Sequence, residues 1–305
     1  MSLRIRIGTR GSALARAQAA QVAQLLVTAH PHVETHIEII KTTGDQLKAT
    51  ALEQLAGETK GLFVKEIEEA LLQHRVDLAV HSLKDLPGEM APGLSLGAVP
   101  KREDPRDALI FAHPDMAALH DLPAGASVAT GSPRRRAQLL EARPDLQVVG
   151  IRGNVGTRLR RLREGPLDAL VLATAGLNRL NLADQIDHHL DPEVMTPAVG
   201  QGALGLQVRD DDSETKSLVS VLDHEPTRLC IEAERWLQAQ MGGGCQLPLG
   251  AFATTSLEGD TFQAFWSDPG ASPTRYSGRG PTGSLPDLSR EALLRLSPMQ
   301  PGQAP

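Results

Sequence analysis

Apolar residues along this chain fall into short runs separated by amphipathic stretches, and two of these arrangements occur twice. "RIRIGTRGSALARAQ" (4–18) and "ASVATGSPRRRAQ" (126–138) each pass from a β-prone segment through Thr and Gly to a Ser placed to cap an Ala/Gln/Leu-rich helix. "EIEEALLQHRVDLAVHSLKDLP" (66–87) and "TRLRRLREGPLDALVLATAGL" (157–177) each run from a polar helix pattern into "VDLAV" or "LDALV", an apolar run suited to a strand buried on both faces. The repetition predicts two similar α/β lobes. In open sheets of this kind ligands sit at the carboxyl ends of the strands, where helix amino termini present N–H groups and a positive dipole end. An interlobe cleft is therefore expected to be lined by Arg10, Ser12, Ser82, Lys84, Asp85, Thr130, Ser132, Arg134, Arg135, Arg152, Arg158 and Arg179.

Punctuation places the boundaries. "VPKREDPRDAL" (99–109) reads as a charged crossing into the second lobe, and "MTPAVGQGALGLQVRDDD" (195–212) as the return, with "GALGLQV" supplying a strand to the first. Two crossings suit a hinge. The expected domains are 1–100 with 201–221, 105–197, and 225–305. The last begins with the helical pattern "EPTRLCIEAERWLQAQ", passes a Gly-rich loop and continues through "QAFWSDPG" and "TRYSGRG", which suggests a small α+β domain with a hairpin.

Charge changes the picture more by its placement than by its total. The net charge is −6 over 305 residues, yet cations concentrate in "GSPRRRAQ" (131–138) and "IRGNVGTRLRRLREG" (151–165). An acidic protein with such clusters is suited to a discrete anion. Aromatic residues make up 3% of the chain, so the stacking platforms used on nucleic acid are scarce. No 18-residue apolar span and no secretory leader pattern is present, and the expected location is the cytoplasm, without membrane association. Arg160, Arg161 and Arg163 extend over more than a helical turn and are expected to face solvent.

The candidate chemistry is sparse. There are two cysteines and no Cys/His spacing for a metal, so no metal is expected. Cys230 lies in an amphipathic helix and suits packing. Cys245, in "MGGGCQLPLG" (241–250), stands on backbone that permits left-handed turns and close approach of a ligand. It is either an inert loop thiol or a reactive one. Lys84 and Asp85 directly follow an apolar strand, either as an exposed ion pair or as an acid–base group at the cleft. His188 and His189 lack ligand spacing, and no GxSxG, HExxH or Walker lysine motif occurs.

Nine segments in order carry a resemblance: "IGTRGSALARAQ", "KGLFVKEIE", "DLAVHSLKDLP", "KREDPRDAL", "TGSPRRRAQL", "RGNVGTRL", "LATAGLNRL", "PAVGQGALG" and "GGGCQLPLG". Together, from about residue 4 to 250, they resemble the hydroxymethylbilane synthase, or porphobilinogen deaminase, family of transferases. The resemblance implies three domains, the first two bilobal and like a periplasmic binding protein, with mixed sheets and an interlobe cleft, in a monomer. It implies that four porphobilinogen molecules are condensed head to tail with release of ammonia, and that hydrolysis then frees hydroxymethylbilane for tetrapyrrole biosynthesis. It further implies a dipyrromethane cofactor joined by a thioether to Cys245, which would explain a thiol on so bare a loop.

By the same resemblance Asp85 is the catalytic carboxylate, stabilising the azafulvene-like cation left when ammonia departs. Ser82, Lys84, Thr130, Ser132, Arg134 and Arg135 are implied to hold the cofactor together with Asp85. Arg10, Ser12, Lys60, Phe63, Arg152, Arg158 and Arg179 are implied to hold substrate, the guanidinium forks pairing with its acetate and propionate groups. The chain departs from the family pattern in "QLAGETKGLF", which keeps Lys60 and Gly61 but lacks an earlier lysine. Two other classes compete. A non-catalytic anion binder would explain the lobes and arginines but not Cys245, and a thiol acyltransferase would explain Cys245 but finds no histidine partner.

Overall fold

The computed structural model describes residues 3–43, 64–88, 90–113, 115–242, 247–268 and 271–297. The chain enters through β1 (Leu3–Arg10), helix Ala13–Ala29, β2 (Val33–Ile40), helix Lys65–Leu72, β3 (Leu78–Ser82) and β4 (Leu94–Ala98). It then crosses to β5 (Asp107–Phe111), β6 (Ser127–Ala129), helix Pro133–Ala142, β7 (Gln147–Val149), helix Val155–Glu164, β8 (Ala169–Ala173), helix Thr174–Arg179 and β9 (His188–Leu190). A second crossing returns it to β10 (Leu204–Arg209).

The first sheet has the order β2-β1-β3-β10-β4 and the second β7-β6-β8-β5-β9. In each, three parallel strands are followed by one antiparallel strand that arrives straight from a crossing, β10 or β5. The two internal similarities in the sequence thus correspond to one topology used twice. Strands β5 and β10 are buried along their whole length, their polar residues Asp107, Gln207 and Arg209 included. Helix Ala13–Ala29 turns Ala19, Val22, Ala23 and Leu26 onto the first sheet at helical spacing, where they pack with Ile5, Ile7, Leu78 and Leu206.

Helix Glu225–Gln240 leads to a third sheet, β11 (Leu249–Ser256), β12 (Gly259–Trp266) and β13 (Thr274–Gly280), an antiparallel meander backed by helix Leu285–Leu296. A three-stranded sheet stands where the pattern alone suggested a hairpin. Cys230 is buried in this layer's core with Leu237, Phe262 and Leu288. Arg160, Arg161 and Arg163 are exposed. Among the described residues no helix is long and apolar enough to cross a membrane, and no group of three or more His, Cys, Asp or Glu is placed to hold a metal ion.

One buried ion pair joins all three sheets. Glu234, 0% exposed, accepts from Arg102 Nη1 at 2.6 Å and Nη2 at 3.2 Å, from Gly200 N at 2.8 Å and from Ala253 N at 2.9 Å. Arg102 lies in the outward crossing, Gly200 in the return and Ala253 in β11, and the guanidinium also stacks over Phe252 at 5.1 Å. A second tie, Arg275 of β13 on Glu141 of helix Pro133–Ala142, secures the meander to the second lobe at 2.6 Å. Replacing Glu234 by Ala strands a buried guanidinium and two backbone N–H groups. The expected loss is about 3–5 kcal/mol of stability in urea denaturation, with all three sheets unfolding together.

Candidate functional site

The carboxyl ends of β1 and β3 border one cavity, and that of β6 opens onto a helix of the second lobe. At the first, Ser12 caps helix Ala13–Ala29 by accepting from Ala15 N at 3.2 Å, and at the third Ser132 caps helix Pro133–Ala142 by accepting from Arg135 N at 3.4 Å. Pro133 occupies the opening turn of the second helix, where its missing N–H costs nothing. Asn154 caps helix Val155–Glu164 in the same way, through Thr157 N at 2.9 Å. Thr130 is buried behind these turns, and its hydroxyl accepts from Ser132 N at 3.2 Å.

A cavity of about 70 Å³ at the first lobe's strand ends brings Arg10, Ser12, Ser82 and Asp85 together, with Gln18 and His81. The sequence reading missed the last two. Gln18 is 3% exposed and its Nε2 donates to Ser82 Oγ at 2.8 Å. His81 Nε2 lies 3.0 Å from Gln207 Oε1, and Gln207 Nε2 donates onward to Glu68 Oε1 at 2.8 Å. With the amide nitrogen so used, Gln207 presents its oxygen to His81, which therefore carries its proton on Nε2. Burial, assisted by the nearby Arg10 charge and opposed by the Gln207 bond, pushes the imidazole down to about 4, so it is neutral. The available signal was a polar residue in an otherwise apolar stripe or strand.

The arginines separate into two groups. Arg134 and Arg135 are 3% and 6% exposed, and both forks close on Asp107: Arg134 Nη2 to Oδ2 at 2.7 Å, Arg135 Nη2 to Oδ1 at 2.7 Å. Arg134 Nη1 donates to the Thr196 carbonyl at 2.6 Å and Arg135 Nη1 to that of Val171 at 3.0 Å, while Arg134 Nε is buried without a hydrogen-bond partner. Asp107 is 0% exposed and also accepts from Gln201 Nε2 at 2.9 Å. Burial alone would raise its carboxyl, but the two guanidiniums and the Gln201 bond outweigh it and hold it down at about 2.

Arg152 and Arg158 belong to the other group. Arg152 lies beside Gly131, where a Cβ would come within 2.7 Å of the Ile151 carbonyl and 3.6 Å of the Arg152 guanidinium, so only glycine admits this approach. Arg158 Nε donates to Gly153 O at 2.7 Å, and burial with the Arg135 and Arg152 charges pushes its guanidinium down to about 10, against the pull of Asp85. Lys84, half-buried, is pushed down to about 8 by burial and by Arg135, with Asp85 and Asp107 opposing. Arg135, itself paired with Asp107, thus acts on both Lys84 and Arg158, Arg152 acts on Arg158, and the exposed carboxylate of Asp85 opposes them at both groups.

Arg179 bridges the lobes in this structure. Its Nη2 donates to Gly202 O at 2.9 Å and its Nε to Gln21 Oε1 at 3.2 Å, which clasps the second lobe to the first lobe's opening helix and to the return crossing. Cys245, Lys60 and Phe63 lie outside the described residues. The strand that follows Cys245 begins at Leu249 and is fixed to the return crossing, since Ala251 N donates to Pro197 O at 3.0 Å and Gly250 leaves no room for a Cβ against Thr196 O, 2.8 Å away.

Residues 5–217 match the family described as porphobilinogen deaminase, dipyromethane cofactor binding domain. The porphobilinogen deaminase of Nitratidesulfovibrio vulgaris (strain DSM 19637 / Miyazaki F) is 49% identical over 253 residues, 83% of this chain and 78% of that one. That of Roseiflexus sp. (strain RS-1) is 51% identical over 254 residues, 83% of this chain and 82% of the other. A solved periplasmic binding protein with high arginine specificity from Salmonella typhimurium aligns at 13% identity and a TM-score of 0.40, covering 74% of this chain and 94% of that one.

The Asp107 cluster sets an acid limit on stability. Its carboxyl titrates lower in the folded chain, about 2, than the ordinary 3.8, so its contribution is complete above about pH 4 and is lost as pH falls through 2. Asp107→Asn is expected to lower stability by about 3–5 kcal/mol at neutral pH. Urea midpoints of the two proteins should converge as pH falls toward the folded value.

Proposed function

This chain belongs to the porphobilinogen deaminase family, and from that premise we propose that the cleft at Asp85, beside Lys84 and Arg158, is where porphobilinogen is polymerised. The enzyme is a transferase of tetrapyrrole biosynthesis whose family domain binds dipyrromethane. Four porphobilinogen units are joined head to tail with loss of ammonia, and water then frees hydroxymethylbilane. The donor set suits such ligands. Each pyrrole carries an acetate and a propionate, and Arg158 lies in the field of Arg135 and Arg152, as Lys84 lies in that of Arg135 and Arg134. Charge-assisted hydrogen bonds to carboxylates would relieve that repulsion. When bound, the dipyrromethane supplies the pyrrole carbon at which the chain begins.

Asp85 is the catalytic residue in this reading. As the substrate's aminomethyl C–N bond breaks and ammonia leaves, positive charge stays on the pyrrole and its methylene carbon. A carboxylate exposed at this point can accept the pyrrole N–H, and takes up the proton released when the new carbon–carbon bond restores the ring. Ser82 and Gln18 hold the wall beside it. Ser12, Thr130 and Ser132 set the helix amino termini whose N–H groups and dipoles attract carboxylates. Arg134 and Arg135, fixed on Asp107, form the floor, and Arg135 adds its field to Lys84 and Arg158. Arg10 and Arg179 hold further acidic groups, Arg179 by exchanging its Gln21 and Gly202 partners for them. Lys60 and Phe63 are assigned an acidic group and a pyrrole face.

The cofactor is assigned to Cys245 through a thioether. Cys230, the other of the two cysteines, is buried, and burial together with the Glu234 charge pushes its thiol up to about 12. It is too protonated and too enclosed to serve. A thiol so placed also suits a reducing cytoplasm, and a monomer is expected to sediment as a single chain.

The observation that carries the reading is one exposed carboxylate, Asp85, acting on Lys84 and Arg158, two cations that the Arg135 charge opposes. Intact mass with peptide mapping is expected to find two linked pyrrole units on the Cys245 peptide and none after Cys245→Ser; an unmodified Cys245 after incubation with porphobilinogen would overturn the assignment. Asp85→Asn is expected to lower kcat by about 10²–10⁴-fold, with an unchanged urea midpoint.

A further inference from the structure

Gln201 is 1% exposed in the return crossing, between two glycines whose φ angles are +69° and +89°. A Cβ at Gly200 would meet Leu83 Cδ2 at 2.5 Å and one at Gly202 would meet Glu103 O at 2.4 Å, so the kink around Gln201 tolerates no side chain on either side. The residue is held at every polar atom. Its N donates to Ala198 O at 2.9 Å, and its carbonyl accepts from Arg102 Nε at 2.7 Å. Its amide nitrogen donates to Pro105 O at 2.7 Å and to Asp107 Oδ1 at 2.9 Å. A carbonyl and a paired carboxylate can only accept, so the amide has one orientation and turns its oxygen to Lys84 Nζ, 3.3 Å away.

We propose that Gln201 is the positioning residue of the site, a neutral acceptor that fixes the Lys84 ammonium in place and keeps it protonated amid its cationic neighbours. The inference rests on the reading that Lys84 meets the carboxylates of the bound pyrroles. The groups that act on Lys84 are Arg135 and Arg134, which oppose its protonation, and Asp85 and Asp107, which favour it. Asp107 is itself engaged by both arginines. A hydrogen-bond acceptor without charge stabilises the ammonium without drawing those arginines away from Asp107, which a carboxylate at this place would do. Through Arg102 the same residue is tied to Glu234, so the position of Lys84 depends on the junction of the three sheets.

The test is carried out on the full-length enzyme with its cofactor, using Gln201→Met, which keeps length and bulk, and Gln201→Glu, which keeps an acceptor and adds charge. Reductive methylation of Lys84, followed by peptide mass against pH, should show a wild-type midpoint near 8. Gln201→Met is expected to lower it by about one pH unit and Gln201→Glu to raise it. The alkaline limb of kcat/KM should move with each midpoint, and kcat/KM of Gln201→Met at pH 8 should fall roughly tenfold. A merely structural role would shift both variants in one direction or neither, and either result would overturn the proposal. Midpoints that split as expected beside an unmoved kcat/KM profile would uphold the positioning of Lys84 and overturn its assignment to substrate.

Discussion

Burying Glu234 and Arg102 together is the constraint on which the arrangement of this protein depends. Removing either charge from water costs several kcal/mol, and the site repays it by making nearly every polar atom serve: two N–H groups of Arg102 meet Glu234, its Nε meets Gln201 O, and Glu234 takes two backbone N–H groups as well. Because those partners come from both crossings, from helix Glu225–Gln240 and from β11, the three sheets cannot be moved apart at this point without leaving buried charge unpaired. The crossings are connections between lobes elsewhere and a fixed junction here.

The cleft is organised on the opposite principle. Around Asp107 two buried guanidiniums and the Gln201 amide close on one buried carboxylate, and these bonds tie the floor together. Near Asp85, burial first and the Arg135 charge second push Lys84 down to about 8 and Arg158 down to about 10, with Asp85 opposing at both. The two neighbouring arginines of "TGSPRRRAQ" show how closely the two principles adjoin: Arg134 and Arg135 complete the floor, and Arg135 still acts electrostatically on the groups above it.

The clasp made by Arg179 links these regions. It spans from the second lobe to Gln21 and Gly202 with bonds that are half-exposed and exchangeable, unlike those of Arg102. Ties of both kinds meet at the segment Gly200–Gly202, whose left-handed glycines give the backbone a shape no other residue would allow.

Much of this was legible before any coordinates. The repeated strand, Gly turn and capping Ser fixed the two lobes, because local caps and apolar periodicity decide local structure, and both Ser12 and Ser132 cap as their spacing requires. Arg10, Ser12, Ser82 and Asp85 were found for the same reason: strand ends and helix starts in such sheets face one cleft. What the sequence could not separate was one arginine from another. Arg134 and Arg152 have the same side chain in similar motifs, and only the tertiary structure brings Asp107 from a distant strand to claim the first and leaves the second by Gly131. Gln201, Glu234 and His81 were unreadable for a related reason, since their roles lie in partners up to 132 positions away along the chain. Periodicity and caps are properties of neighbours in sequence, whereas the pairing of buried charges is decided by which segments the folded chain brings within hydrogen-bond reach.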